Sequence, residues 1–440
     1  MKKNYLLVFF TIYSFCAVSQ VWSPLGNGMN SSVYCLQKDT TNNLLYAGGY
    51  LTTAGFVSAS YIAKWNGTAW SAMGTGLSNP AYSLAIYNGS LYAGGNFTTA
   101  GGTAAGNIAK WNGTAWLAVG TGTGMGGVSF TVYRLAAYNN ELYAGGSFTS
   151  ADGTAAAHIA KWNGTAWSAV GAGTNGDVSA LTVYNGELYA AGNFTTAGGI
   201  TANHAAKWNG TAWTAVGTGT NSLISALAVY NNELYAGGAF VTAGGSTANY
   251  IAKWNGTNWM PVGTGMGAGT YTSISALAVY NGSLYAGGYF ASAGGTAASN
   301  IAGWNGTSWS AMGTGTDALV GALTSSASGL YAGGQFTMAG GNAANNVAKW
   351  NPPAGIEESS ISGKITIYPN PFSNQTFIAF DKEIKNASLK IIDALGKEVK
   401  SMSFSGTSMV LEKGELPAGV YFIKIVSEKG LIADKKIIIQ

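Results

Sequence analysis

Apolar and polar positions in this chain recur on a fixed plan. Residues 224–230 alternate in the period-2 manner of a strand, and Asn231-Asn232 then turns the chain where other copies carry Asn-Gly, a strong two-residue hairpin signal. Residues 234–240 predict a second strand, whose glycines admit close neighbours. A Gly/Ala/Thr loop leads to a third strand over 250–254. Asn255-Gly256-Thr257 turns again, and residues 259–263 predict a fourth strand.

The plan repeats seven times. Leu-Tyr-Ala-Gly-Gly or a close variant begins at Leu45, Leu91, Leu142, Leu188, Leu234, Leu284 and Leu330, at intervals of 46, 51, 46, 46, 50 and 46 residues. Lys-Trp-Asn-Gly-Thr-x-Trp or a variant trails each copy. Four strands in about 46 residues is the size of one β-propeller blade, the chief rival being a linear β-solenoid. The ends of the array separate the two. Trp22-Ser23-Pro24-Leu25-Gly26 reads as a fourth strand with no third before it, and Trp350-Asn351 as a third strand with no fourth after it. Each orphan complements the other, so the N-terminal strand completes the last blade and leaves no sheet edge. The expected fold is all-β: a seven-bladed propeller of four-stranded blades closed by the N-terminal strand, plus a small C-terminal Ig-like β-sandwich.

Composition agrees with many short, closely packed strands: 9% charged, 47% hydrophobic, 65 Gly, 14 Trp and 24 Tyr. The net charge of +4 is spread thinly, with eight bases against seven acids over residues 20–351 and eleven against ten over 352–440. No segment can neutralise a run of phosphates, which argues against nucleic acid as a partner. Lys2 and Lys3, an apolar run from Leu6 to Phe15 and Ala17-Val18-Ser19 predict a signal peptide over residues 1–19, and no transmembrane segment in the mature chain. Cleavage leaves Cys35 as a lone thiol in an apolar strand, expected to be buried and inert.

The glycine pair ending the second strand, an aromatic in the third and a Trp opening the fourth resemble the kelch and galactose-oxidase type of propeller over residues 22–351. The Asn-Ile-Ala-Lys-Trp-Asn-Gly-Thr wording also resembles repeats of the fungal cortical marker Rax2. The copper site of galactose oxidase needs two His and two Tyr. His158 and His204 occupy a repeat position instead, so oxidase chemistry is not carried over, and no cofactor or metal is expected.

Beyond Asn351 a linker over 352–365 precedes a domain over 366–440, with strands expected at 365–371, 389–392, 420–425 and 435–439. This tail resembles the type A C-terminal sorting domain of the type IX secretion system of Bacteroidota. The matching residues are Tyr368-Pro369-Asn370-Pro371, Ile392-Asp393-Ala394-Leu395-Gly396-Lys397, Leu416-Pro417-Ala418-Gly419-Val420-Tyr421 and Lys435-Lys436-Ile437. The resemblance implies export to the cell surface or beyond, with the secretion machinery as partner.

No Ser/His/Asp or metal-ligand constellation is present. Asp152, Asp177, Asp317, Arg134, His158 and His204 fall on the loop face of the propeller, and Asp39, Glu141, Glu187 and Glu233 at the opposite turns. His158 and His204 share their position with Tyr61, Asn107, Tyr250, Asn300 and Asn346, which either tie down a loop or ring a ligand face. The inner strand is the least uniform. Where later copies have Ser179, Ser225, Ser275 and Gly321, the first three have Tyr34, Tyr82 and Tyr133, the last beside Arg134, the only arginine of the chain. Three rings and a guanidinium could stack on a sugar or hold an anion, or simply fill the channel. The Trp pairs are expected to pack between blades, and the Asn-Gly-Thr segments to be turns rather than glycosylation sites. The expected function is non-enzymatic binding of a glycan or protein ligand outside the cell. The alternatives are a secreted carbohydrate-active enzyme and a purely structural surface protein.

Overall fold

The structure, a computed structural model, describes residues 21–121, 125–126, 130–267, 271–351, 365–393, 397–427 and 430–440. The expected signal peptide and nearly all of the linker lie outside them. The chain divides into two compact units, Met1–Pro352 and Pro353–Gln440.

In the first unit the described residues form seven four-stranded antiparallel sheets in a propeller-like arrangement. The first of them runs Val33–Asp39, Leu44–Gly49, Ile62–Trp65 and Trp70–Ala72, each strand paired with the next. The hairpin between the first two strands needs two left-handed residues, which Asn231 and Asn232 supply at φ 49° and 59°. The seventh sheet draws its outermost strand from the other end of the sequence: Val21–Pro24 pairs with Val347–Asn351, setting Trp22 opposite Trp350. The first strand of each sheet lies beside that of the next, and Val320–Ser326 of the last lies beside Val33–Asp39 of the first.

The core sits between sheets. Tyr46, Ile62 and Met73 of one sheet share a cluster with Leu84, Phe97, Trp111 and Trp116 of the next. The glycine pair makes this approach feasible, since a Cβ on Gly48 would meet Cys35 Sγ at 2.8 Å and the neighbouring sheet's Ala81 Cβ at 2.9 Å. Two belts of hydrogen bonds tie sheet to sheet. Each outer-strand Trp donates to a carbonyl of the preceding sheet, as Trp70 does to Leu25 at 2.7 Å and Trp259 to Val216 at 2.8 Å. On the hairpin side, Tyr87, Tyr138, Tyr184 and Tyr230 each donate to a turn carbonyl of the following sheet at 2.8–3.0 Å. The Trp pairs thus do pack between sheets.

The Gly/Ala/Thr loops differ from expectation. Each folds into an extra hairpin of two-residue strands, such as Thr242–Ala243 with Ser246–Thr247, too short to leave a periodic signal. In the Asn-Gly-Thr segments, Asn66 Oδ1 accepts from Thr68 N, Thr68 Oγ1 and Ala69 N, all at 2.9 Å, and five further copies repeat this. They are Asx turns.

The second unit holds five described strands, Ile365–Tyr368, Gln375–Asp393, Glu398–Glu412, Gly419–Ser427 and Gly430–Ile439, hydrogen-bonded as one sheet. The sequence suggested four shorter strands in a two-layered sandwich. The register of the long strand shifts between Ala379 and Ala387, and such bulges bend a sheet. Ile378 before the shift and Leu389 after it then share one core with Ile423 and Ile437. Among the described residues no helix is long and apolar enough to cross a membrane.

Candidate functional site

The seven first strands share one irregularity. Val33 pairs with Gly49 but Cys35 with Gly48, which leaves Tyr34 as the extra residue of a bulge, and Tyr82, Tyr133, Ser179, Ser225, Ser275 and Gly321 stand at the same point. A bulge re-aims its extra side chain away from the regular alternation. The position that holds Tyr in three copies and Ser or Gly in the other four is therefore the one the backbone turns aside.

The three tyrosines come together. Tyr34 and Tyr82 stack at 5.4 Å between centroids and 9° between planes, and Tyr133 meets Tyr82 edge-on at 6.1 Å. Sequence reasoning missed a fourth member: Tyr50, 47% exposed, lies edge-on to Tyr34 at 5.6 Å. It follows the glycine pair directly, a position that also varies between copies (Asn96, Ser147, Asn193, Ala239, Tyr289, Gln335), and that variation was the available signal. Stacking of all three rings on a sugar, one of the alternatives the sequence leaves open, is narrowed by this geometry. Tyr34 and Tyr82 spend a face on each other, so the cluster offers outer faces, edges and hydroxyls. Burial first, then the Tyr50, Tyr34 and Tyr133 hydroxyls, pushes the Tyr82 phenol up to about 12. Burial likewise raises Tyr34. Both stay neutral donors at ordinary pH.

Arg134 follows the third bulge. The equivalent residues elsewhere are Cys35, Ser83, Ala180, Ala226, Ala276 and Ala322, all small. A cavity of about 100 Å³ is lined by Arg134 and Tyr34 together with Leu36, Leu84, Leu181 and Leu277 among others. Arg134 Nε donates to Ser179 O at 3.4 Å. Burial lowers the Arg134 pKa against a small opposing effect of Cys35, while the Cys35 thiol, buried beside it, is pushed up to about 12 and is inert as expected.

The remaining sequence candidates have structural duties. His158 and His204 adopt left-handed backbone at φ 64° and 66°, as do Tyr61, Asn107, Tyr250, Asn300 and Asn346 at 63–67°. In each, the backbone N–H and carbonyl bridge the end of the second strand, as His204 N to Phe194 O at 2.8 Å and Gly192 N to His204 O at 3.1 Å. Side chains add to this: His204 Nδ1 lies 3.1 Å from Gly192 O, and Asn107 donates to Phe130 O at 2.8 Å in the approach to the next sheet. His158 Nδ1 faces Asp177 Oδ1 at 3.6 Å. The backbone of both histidines thus ties the loop, and the His204 ring adds to it, while His158 Nδ1 is buried without a hydrogen-bond partner. Asp317 accepts from Thr337 N, Thr337 Oγ1 and Met338 N, in the place where Asn175 and Asn221 do the same. Burial pushes its pKa up, but these bonds outweigh it and the net shift is downward. Asp152 Oδ2 accepts from Thr121 N at 2.8 Å. At the opposite turns, Glu141, Glu187 and Glu233 pair with Lys161, Lys207 and Lys253 at 2.7–3.0 Å. Among the described residues no group of three His, Cys, Asp or Glu could hold a metal.

In the second unit the separate motifs converge. Asn370 Nδ2 donates to Lys436 O at 3.0 Å and Asn370 Oδ1 accepts from Ile438 N at 2.8 Å, so one side chain clamps the final strand. Tyr368-Pro369 and Asn370-Pro371 are cis, and Thr376 Oγ1 donates to Pro369 O at 2.6 Å. Tyr421 OH reaches Pro417 O at 3.0 Å, and Tyr421 pairs in register with Ile437, beside Lys435 and Lys436. Gly419 opens the fourth of the five strands, while Gly396 lies outside the described residues.

Comparison with known proteins gives these arrangements a context. The model of the secretion system C-terminal sorting domain matches residues 366–440, and that of the Rax2 C-terminal beta propeller domain matches residues 123–282. An endo-acting ulvan lyase of Formosa agariphila is 29% identical over 85 residues, which are 19% of this chain and 16% of that protein. Among solved structures, PorZ, a bacterial surface component of the type IX secretion system of Porphyromonas gingivalis, aligns over 95% of this chain and 60% of its own, at 15% identity and TM-score 0.47. A fungal alcohol oxidase of the AA5 family, in complex with copper, aligns over 96% and 99% at 13% identity and TM-score 0.43. The sorting domain marks the chain as cargo of the type IX system, secreted or held at the cell surface.

Proposed function

We propose that this protein is a non-enzymatic binding module outside the cell, and that its ligand sits on the face carrying Tyr34, Tyr50, Tyr82 and Tyr133. A signal peptide over 1–19 starts its export, a seven-bladed propeller over 20–351, of the kelch and galactose-oxidase type, carries the ligand face, and 366–440 addresses it through the linker at 352–365. One observation carries the reading: bulges in three adjacent first strands turn three rings into a single cluster, at the position where the other four copies carry only Ser or Gly. Channel filling alone needs no hydroxyls. Clustered tyrosines offer rigid, amphipathic contact area of the kind carbohydrate and protein ligands exploit.

What favours binding over catalysis is the employment of the acids. General acid/base hydrolysis wants two carboxylates facing one substrate, roughly 5–10 Å apart. Six of the seven acids of residues 20–351 are instead committed to lysines or turn amides, and Asp177 lies 3.6 Å from His158 Nδ1.

A glycan-array screen of the secreted protein, run beside a hydrolysis screen on the same glycans, tests the proposal. Binding without turnover, weakened in Tyr82→Ser, is the expected result. Turnover of any glycan, or binding indifferent to Tyr82→Ser and Tyr50→Ala together, overturns it.

A further inference from the structure

We infer that the channel cavity beside Tyr34 is a well for a single carboxylate, that of a uronic-acid sugar, with Arg134 as its counter-charge. The inference rests on the tyrosine face as the ligand surface and names the ligand class it would take.

Charge singles out Arg134. Every lysine of residues 20–351 has an occupation: Lys161, Lys207 and Lys253 pair with glutamates, Lys64, Lys110 and Lys349 lie over aromatic rings, and Lys38 donates to Asn43 at 2.7 Å. The acids are engaged as well. Among the described residues, Arg134 alone of the eight cations has no acid, ring or side-chain acceptor, only the Ser179 carbonyl at 3.4 Å. A guanidinium carries five donors in a planar fork, so the terminal nitrogens remain to receive an anion. Leaving such a group partly buried without a counter-charge is costly, and a chain with one arginine has put it there.

Shape narrows the occupant. The side chains lining the cavity are leucine and alanine apart from Arg134, Tyr34, Cys35 and Ser275, so among them are one cation and no acid. At about 100 Å³ it has room for a carboxylate. The ring would stay at the mouth, where Tyr34 belongs both to the cavity and to the cluster with Tyr50 and Tyr82. A fork-to-fork pair below and aromatic edges with hydroxyls above describe a uronic acid better than a neutral sugar or a free inorganic anion.

Because Arg134 is the only arginine, arginine-labelled protein gives a single Nε–Hε resonance. The full chain is titrated with methyl glucuronoside, methyl glucoside and inorganic phosphate. The expected result is a saturable shift with the glucuronoside, none with the glucoside and a weaker response to phosphate. By calorimetry, Arg134→Lys should lose about tenfold or more in glucuronoside affinity. Arg134→Ala should abolish binding, and it copies four other repeats, so packing tolerates it. No saturable shift with the glucuronoside, an equal shift with the glucoside, an equal or stronger one with phosphate, or unchanged affinity in Arg134→Lys overturns the inference. A neutral glycan or a protein whose binding depends on Tyr82 would then still support the face while the well is abandoned.

Discussion

Trp22 donates its indole N–H to the carbonyl of Met312 at 3.1 Å, across 290 residues of sequence. The same ring is 2% exposed and packs on Trp350 at 5.1 Å. One residue of the N-terminal strand therefore contributes to its own sheet and to the belt joining that sheet to its neighbour. Trp22→Ala removes the bond and leaves a cavity, at a cost of about 3–5 kcal/mol. The expected result is a lower urea midpoint at unchanged slope. Truncation of 366–440, which belongs to the other compact unit, should leave that midpoint in place. Wild-type unfolding of the Trp22 variant would mean that the ring does not depend on this strand.

The tyrosines set an alkaline limit. Burial is the first cause that raises Tyr82, Tyr189 and Tyr235 from 10.0 to about 12. A phenol whose pKa is higher folded than unfolded holds its proton more tightly in the fold. Its contribution is complete below about pH 10 and is lost as pH climbs towards 12. Circular dichroism should fall, and the last fraction of phenolate absorbance appear, in the same steep step across that window. Complete phenolate formation while the fold persists would count against the burial of these hydroxyls.

Most of the fold was legible because each strand is written seven times and a repeated signal is hard to misread. The outer hairpins were not, since two-residue strands have no period. Bulges leave no compositional mark, so the sequence could flag Tyr34, Tyr82 and Tyr133 as departures without showing that the backbone turns them aside. Nor could it show that Tyr34 and Tyr82 consume a face of each other, or that Tyr50 joins them from another strand end. In the tail the motifs were visible as words. That Asn370 grips the strand containing Lys436 is a contact over 66 residues that no local pattern encodes.

Asn370→Ala deletes the bonds to Lys436 O and Ile438 N, and Asn370→Asp keeps the acceptor while losing the donor. Cell fractionation should place the Ala variant largely in the periplasm, close to a truncation of 366–440, with the Asp variant in between. Normal surface amounts of the Ala variant would show that the secretion machinery reads the tail without the clamp.

The seven left-handed residues set strain against packing, and magnitudes decide which wins. The chain uses 65 glycines, yet none stands at Tyr61, Asn107, His158, His204, Tyr250, Asn300 or Asn346, where φ is 63–67°. A side chain there costs roughly 1–2 kcal/mol, which glycine would relieve. Tyr250 packs partly buried against the core shared with the sixth sheet, and losing that ring should cost about 3 kcal/mol, so Tyr250→Gly should destabilise by about 1–2 kcal/mol net. His204 offers only a hydrogen bond to Gly192 O, worth about 1 kcal/mol, and His204→Gly should be close to neutral. His158→Asn and His204→Asn, which copy residues 107, 300 and 346, should change neither stability nor ligand binding. Urea melts of the four variants, with calorimetry on the two asparagine replacements, check the set. A loss of ligand affinity in the double His→Asn variant would return the histidines from loop ties to the binding face.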